Sequence, residues 1–473
     1  MLVRRVGGRS GARTATFAEA PLEWDGVFLA GSMADVYYFV SDLHVGGDEQ
    51  LQKCEFETEF VEFLQTLESA DEDAELIILG DAFGLWEFTE TNGIAKFDEL
   101  VNHHPKLFEQ LRETGESIDI TLIPGNHDAE LAGYTEYIER LREFNVILDP
   151  TLSLVRTVAE RKIWIEHGMQ QDAHNRMPDF GNPRANPLGY FVNRHITSKA
   201  GQLSGRGRYN WLKDIQSLTP LEEIPDWIAS NYFYREMSPF LRYAALPFLL
   251  LFNVSFIYLV VLLIGDSGLF GANAATRVTA EILRDLGFVG SLIEFVFFVN
   301  LVVVSLLFVI SIPLYFFIRD ARKTLERFDL VRSDEPTENP DAPYVKAAKN
   351  VFEEYPDVAA FIYGHTHRVS LTPVGERVII NTGTWLKRLH RTPTWVGLLP
   401  PVYYPSFQLN YFRIGEEDGN VVVEYHTIEK DAPNELTLLQ RLLSRKPKSD
   451  PKIPDRTVIE GSEKTVVEST SEE

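Results

Sequence analysis

A chain of 473 residues with 45% hydrophobic content is long enough for two or three domains and a full-sized core. Its net charge of -24, from 69 acidic against 45 basic residues, excludes a broad nucleic-acid footprint, which needs clustered Lys and Arg. The single cysteine, Cys54, excludes an internal disulfide framework and sits on an amphipathic run with Phe56, Phe60 and Leu64, where a packed thiol is expected.

Residues 1–34 carry Arg4, Arg5, Arg9 and Arg13 with no apolar stretch behind them, so they read as an unstructured extension rather than a secretory signal, with Met33 an alternative start. From Val36 the pattern is regular. Val36 to Val40 predicts a buried strand leading into Ser41-Asp42-Leu43-His44, and a helix follows with Phe56, Phe60, Phe63, Leu64 and Leu67 at helical spacing. Leu76 to Leu79 predicts a second strand, ending in Gly80-Asp81. A helix over about 96–114 leads to the apolar run Ile118 to Ile123, which ends in Pro124-Gly125-Asn126-His127-Asp128. After a helix around Tyr134, Ile138 and Leu141, the strand Lys162 to Ile165 ends in Glu166-His167-Gly168. Much later Ala359 to Tyr363 leads into Gly364-His365-Thr366-His367, and Val378 to Ile380 into Asn381-Thr-Gly-Thr-Trp385. Strand, polar cluster and helix recur in this order, which predicts an α/β fold with a pocket at the C-terminal strand edge.

Two runs interrupt the pattern. Residues 243–264 and 295–318 contain no charged side chain, and either is long enough to cross a hydrocarbon core of about 30 Å as a helix. They predict a two-helix transmembrane insertion within residues 201–344, dividing a catalytic domain into 35–200 and 345–430. Two crossings return the chain to its starting side, so all five clusters can share one pocket. Arg235 and Arg242 precede the first run and Arg319, Arg322, Lys323 and Arg327 follow the second, which puts the catalytic parts and both termini on the cytoplasmic side of the cell membrane. Trp211, Trp227, Tyr232 and Tyr234 read either as an interfacial collar or as ordinary core. Residues 431–473 are polar and without periodicity, and read as a disordered tail.

The strand-end residues Asp42, His44, Asp81, Asn126, His167, His365 and His367 offer imidazole and carboxylate donors without a thiolate, a set suited to two divalent metals, manganese first, with iron or zinc as alternatives. His127 and Asp128 stand beside them as candidate catalytic residues. Asp172, Asn175, Arg176 and Arg368 flank the clusters as candidate substrate contacts, the arginines because guanidinium pairs with phosphate.

Taken together, Asp42-x-His44, Gly80-Asp81, Gly125-Asn126-His127-Asp128, His167-Gly168 and Gly364-His365-x-His367 resemble the motifs of the calcineurin-like metallophosphoesterase superfamily. Asp81 to Glu87 and Asn381 to Trp385 look most like its UDP-2,3-diacylglucosamine hydrolase branch, from which the apolar pair and His167-Gly-Met-Gln-Gln-Asp172 depart. The resemblance implies a four-layer α/β/β/α sandwich. It implies one metal on Asp42, His44 and His367, another on Asn126, His167 and His365, and Asp81 as the bridge. It implies His127, held by Asp128, over the phosphoryl group, and a metal-bridging hydroxide that attacks phosphorus. The expected activity is a membrane-anchored phosphoesterase or pyrophosphatase with a phosphorylated, lipid-linked substrate and the bilayer as partner. A tethered nucleotide phosphodiesterase and a non-catalytic membrane scaffold are the alternatives.

Overall fold

A computed structural model describes residues 34–460 except 71, 204–213, 216–217, 219–222, 243–277, 279–280, 328–340, 396–398, 433–434 and 445–451. The strands are β1 (Val36–Val40), β2 (Ala74–Leu79), β3 (Asp119–Ile123), β4 (Val146–Leu148), β5 (Ser153–Val158), β6 (Arg161–Glu166), β7 (Val358–Tyr363), β8 (Ser370–Val374), β9 (Arg377–Asn381), β10 (Arg388–Thr392), β11 (Val402–Ser406), β12 (Leu409–Glu417), β13 (Asn420–Ile428) and β14 (Arg456–Ile459). Seven form one sheet in the order β14-β13-β12-β1-β2-β3-β4, five another in the order β5-β6-β7-β9-β8, and β10 and β11 a separate ribbon. Strands β1 to β4 run parallel, as do β6, β7 and β9, so their C-terminal ends deliver loops to one edge of each sheet.

Alternation along each strand builds the layers. Tyr37, Phe39, Ile77 and Leu79 point toward the five-stranded sheet and meet Ile163, Ile165, Ala360 and Ile362 in a core between the sheets. Val36, Tyr38, Val40, Leu76 and Ile78 point the other way, onto helices α1 (Glu57–Glu68), α2 (Ala95–His103), α3 (Pro105–Thr114) and α4 (Thr135–Arg142). On the far side Phe361 and Tyr363 pack on Tyr344 and Phe352 of the helix Ala342–Glu354. Strands buried on both faces read as continuous apolar runs, which is why they were legible. The expected helix over 96–114 is two helices, because Pro105 brings no amide hydrogen and starts the second at its first position.

The expectation of a wholly disordered tail after 431 is corrected. Thr437 caps the helix Leu438–Leu443 through a capping box with Gln440, and β14 pairs with β13 at the edge of the larger sheet. A four-residue strand in a polar setting is too short to show periodicity. The collar is corrected in part: Trp227 and Tyr234 are buried inside the protein, Tyr232 is exposed, and Trp211 lies outside the described residues.

Residues 1–33 and the first apolar run, 243–264, also lie outside the described residues. The second run falls within the 40-residue helix Phe288–Arg327. Among the described residues, one helical segment, Phe288–Phe317, is long and apolar enough to cross a membrane. Its 30 residues correspond to about 45 Å of helix. Phe295, Phe308 and Phe317 lie exposed on it rather than packed into the domain.

Candidate active site

Every predicted metal-ligating residue lies in a loop leaving a strand at the same edge of the sandwich. Asp42 and His44 follow β1, Asp81 follows β2, Asn126 follows β3, His167 follows β6, and His365 and His367 follow β7. Asp42, His44, Asp81, His365 and His367 adopt positive φ between 45° and 68°, a region non-glycine residues seldom enter. Such conformations persist where the surroundings over-determine them, as at ligand clamps. Gly80, at φ +81°, admits the close approach of two loops: a Cβ there would lie 2.6 Å from the Gly125 nitrogen and 2.7 Å from His167 Nδ1.

The donor atoms converge in overlapping groups. Asp42, His44 and His367 form one, His44, Asp81 and His127 a second, and Asp81, His167 and His365 a third. His44 Nε2 faces His367 Nε2 at 3.1 Å, and His367 Nε2 is 3.2 Å from Asp42 Oδ1. On the other side His167 Nε2 lies 3.2 Å from Asn126 Oδ1 and from His365 Nδ1. Asp81 Oδ2 stands between the two groups, 3.6 Å from His44 Nε2 and 3.3 Å from His167 Nε2.

The unused carboxylate and imidazole lone pairs fit divalent cations. Asp42 is fully buried; its Oδ2 takes hydrogen bonds from Ser41 Oγ and, at 3.0 Å, from the His365 nitrogen. Its Oδ1 makes no aligned hydrogen bond among the described residues and faces the His367 and His44 imidazoles at 3.2 and 3.8 Å, an arrangement that a cation would complete. His167 Nδ1 donates to the Leu79 carbonyl at 2.7 Å, which turns Nε2, the atom a cation would take, inward toward Asn126 and Asp81. Burial alone would raise the Asp81 carboxyl, but His167 and His127 hold it well below the usual range.

The rim corrects several sequence expectations. Asp128 does not hold the His127 imidazole. Its carboxylate accepts from the backbone nitrogens of Gly125 at 2.7 Å and of Asp81 and Phe83 at 3.2 Å, locking the loops after β2 and β3 together. The partner of His127 is Glu87, whose Oε1 lies 2.9 Å from Nδ1 and also accepts from Asn193 at 3.1 Å. Trp86 stacks on the imidazole at 4.3 Å. Burial works against a charged imidazole here, but the Glu87 and Asp81 carboxylates push His127 up to about 9. Glu87 was missed because nothing in its spacing says which imidazole it serves. The available signal was a lone acid within the otherwise apolar Ala82 to Phe88.

Asp172, expected at the substrate, stands behind a candidate ligand. Its Oδ2 is 3.1 Å from His365 Nε2 and accepts from Asn175 Nδ2 at 2.8 Å. Arg176 is exposed and has no side-chain hydrogen bond or ion pair among the described residues. Arg368 is half-buried within electrostatic reach of Asp341.

Residues 36–258 match the Calcineurin-like phosphoesterase family. The match spans the first four clusters and ends before the fifth, which the fold brings to the same edge. No curated protein matches the chain. Among solved structures, a conserved uncharacterized protein and predicted phosphoesterase from Streptococcus pneumoniae TIGR4 shares 11% identity, with 88% of this chain and 98% of that one covered at a TM-score of 0.25. The phosphopantetheinyl hydrolase of Mycobacterium tuberculosis shares 12%, with 74% and 90% covered at a TM-score of 0.22. Likenesses that distant say nothing of what this chain binds. The family match and the ligand groups support a phosphoester hydrolase with divalent-metal sites.

Proposed function

We propose that the chain is a membrane-anchored, two-metal phosphoesterase or pyrophosphatase acting on the cytoplasmic face on a lipid-linked phosphorylated substrate. The observation that carries the reaction is the Asp81 carboxylate set between two groups of inward-facing donors. In this reading Asp42, His44 and His367 hold one cation, Asn126, His167 and His365 the other, and Asp81 both; manganese suits the donor set, with iron or zinc as alternatives. Two divalent cations there supply an activated water at neutral pH and neutralise charge on the phosphoryl oxygens.

The chain's own residues do the rest. Because Nδ1 of His127 donates to Glu87, Nε2 is the atom left to hydrogen-bond a phosphoryl oxygen or hand its proton to the leaving oxygen. Trp86 on one ring face and His44 at 4.4 Å edge-on hold the imidazole in place. The apolar segment Phe288–Phe317 supports the anchor, and confinement to a bilayer favours a substrate that resides there.

The test is a metal-dependent screen of phosphomonoesters, phosphodiesters and lipid pyrophosphates with the full-length protein in detergent. Turnover of one class with manganese is expected, and inactivity on all of them with two metals bound would favour a scaffold. His127→Ala should lower turnover by roughly 10²–10⁴-fold with both metals retained.

A further inference from the structure

The irregular stretch 172–187 leads to a helical segment that supplies no candidate metal ligand, yet is fastened to the loop beside His127. It consists of two short helices, Leu188–Val192 and Ser198–Leu203, joined by the wider helical turn Asn193–Thr197. Wide turns of this kind are rare and recur at functional sites. Arg194 donates to the Phe88 carbonyl, to the Thr89 carbonyl at 3.0 Å and to Asn92 Oδ1 at 3.3 Å. Gln202 Nε2 donates to Asp48 Oδ2 at 3.2 Å, and Tyr190 meets Trp86 edge-on at 5.6 Å. The loop after β2, which carries Trp86 and Glu87, is thus strapped from outside.

One polar chain runs from this strap to the imidazole. Ser198 Oγ donates to Asn193 Oδ1 at 2.8 Å, Asn193 Nδ2 donates to Glu87 Oε1 at 3.1 Å, and the same oxygen lies 2.9 Å from His127 Nδ1. The chemistry of the partners fixes the direction. Burial would raise the Glu87 carboxyl, but His127 holds it below its ordinary value, so it is ionised and only accepts. The Asn193 amide nitrogen must then face Glu87, and its oxygen is left for the Ser198 hydroxyl. Ser198 is buried, which keeps water from that hydroxyl.

The His127 contact uses one oxygen of a carboxylate whose last torsion is soft. A second donor on that same oxygen pins it at the edge of the ring, through a hydrogen bond of the charge-assisted, stronger kind. Trp86 and His44 restrain the imidazole from its sides. Asn193 restrains the oxygen that Nδ1 follows, and so fixes where Nε2 points.

We propose that Asn193 is a positioning residue for phosphoester hydrolysis: it sets the Glu87 oxygen that orients His127, and Ser198 sets Asn193 in turn. The inference rests on the role given to His127 above and adds to it a residue 106 positions from Glu87, on the helical strap. The competing reading is that Asn193 only fastens the strap, which would make it equivalent to Gln202.

The test uses the full-length protein in detergent with manganese, and p-nitrophenyl phosphate, bis(p-nitrophenyl) phosphate and farnesyl pyrophosphate as probes. Asn193→Ala should lower kcat by about tenfold, the low end for an outer partner, with KM within about twofold of wild type and metal content unchanged. Ser198→Ala, which leaves the amide in place but free to turn, should lower kcat by about threefold, as loss of one neutral hydrogen bond implies. Because Asn193 acts through Glu87, adding Asn193→Ala to Glu87→Gln should lower kcat no further. The proton on His127 Nδ1, seen downfield by NMR in zinc-loaded protein and identified by its loss in His127→Gln, needs no turnover. It should shift in Asn193→Ala and stay in place in Gln202→Ala. Losses that multiply in the double variant, or equal losses in Asn193→Ala and Gln202→Ala, overturn the proposal and leave Asn193 a fastening of the strap. An unmoved proton with kcat within about twofold of wild type overturns it as well. Should Asn193→Ala fail to fold, an unmoved proton and unchanged kcat in Ser198→Ala overturn it equally. Wild type that turns over none of the probes, with the proton still responding to Asn193→Ala, overturns the hydrolase reading and supports the contact.

Discussion

Strand β2 has a buried carboxylate near its start and another just past its end, and their surroundings differ. Glu75, pointing between the sheets, accepts from Arg156 Nε at 2.7 Å, from Arg156 Nη2 at 2.8 Å and from Thr121 Oγ1 at 2.5 Å. Asp81, at the opposite edge, faces imidazoles of two different groups, and its neighbour Asp42 has an oxygen that makes no aligned hydrogen bond among the described residues. Both carboxylates are 1% exposed, so burial does not separate them. Completeness does. The guanidinium closes the Glu75 cluster in bidentate geometry, whereas the strand-end cluster has more lone pairs than protons to fill them. A closed buried cluster joins the sheets; an open one suits a cation.

The sharpest way to break this comparison is Asp81→Asn, which keeps the shape and removes the charge both groups share. Turnover should fall to background, a loss above about 100-fold and beyond what an outer hydrogen-bond partner costs. Metal content per chain after dialysis should drop from two to one or none. A variant that keeps both metals and turns over within about tenfold of wild type would remove Asp81 from the bridge.

Glu87→Gln tests the rim instead of the floor. The amide no longer offers the negative charge that favours protonated His127, so turnover should fall by about 10- to 100-fold, as for outer partners that orient a working imidazole. Metal content should not change, and loss of metal would place Glu87 in the floor. A smaller effect is expected from Asp172→Asn, because one half of the site depends on it. Weakening the bond to His365 Nε2 should lower affinity for one of the two cations by about tenfold, read by calorimetric titration, with turnover recovering at high metal concentration. Equal weakening at both sites would contradict the division of ligands.

The floor was legible in the sequence and the rim was not, for a physical reason. Asp42, His44, Asp81, Asn126, His167, His365 and His367 each follow an apolar strand directly, so sheet geometry fixes where they arrive. Glu87, Asn193 and Asp172 reach the site through irregular loops whose course is set by packing. The acid adjacent to His127 in sequence, Asp128, turned out to serve the backbone. Strands β12 and β13 were missed among polar neighbours, and β14 because it has four residues. The Glu75–Arg156 pair left no trace at a separation of 81 positions.

That pair supplies the control with the least expected effect on turnover. Arg156→Ala leaves Glu75 buried without its counter-charge, which should cost about 3–5 kcal/mol of stability. For a domain of this size the midpoint of thermal unfolding should fall on the order of 10 °C. Metal content and turnover measured well below that midpoint should match wild type, because the pair lies at the edge away from the strand-end loops. The double variant Glu75→Leu/Arg156→Met removes both charges and should recover most of the lost stability, since apolar side chains of similar volume replace a buried ion pair at little cost. A double variant no more stable than Arg156→Ala would mean that the charges themselves join the sheets. Loss of metal in either variant would mean that the two edges are coupled, and that completeness alone does not distinguish the Glu75 cluster from the active site.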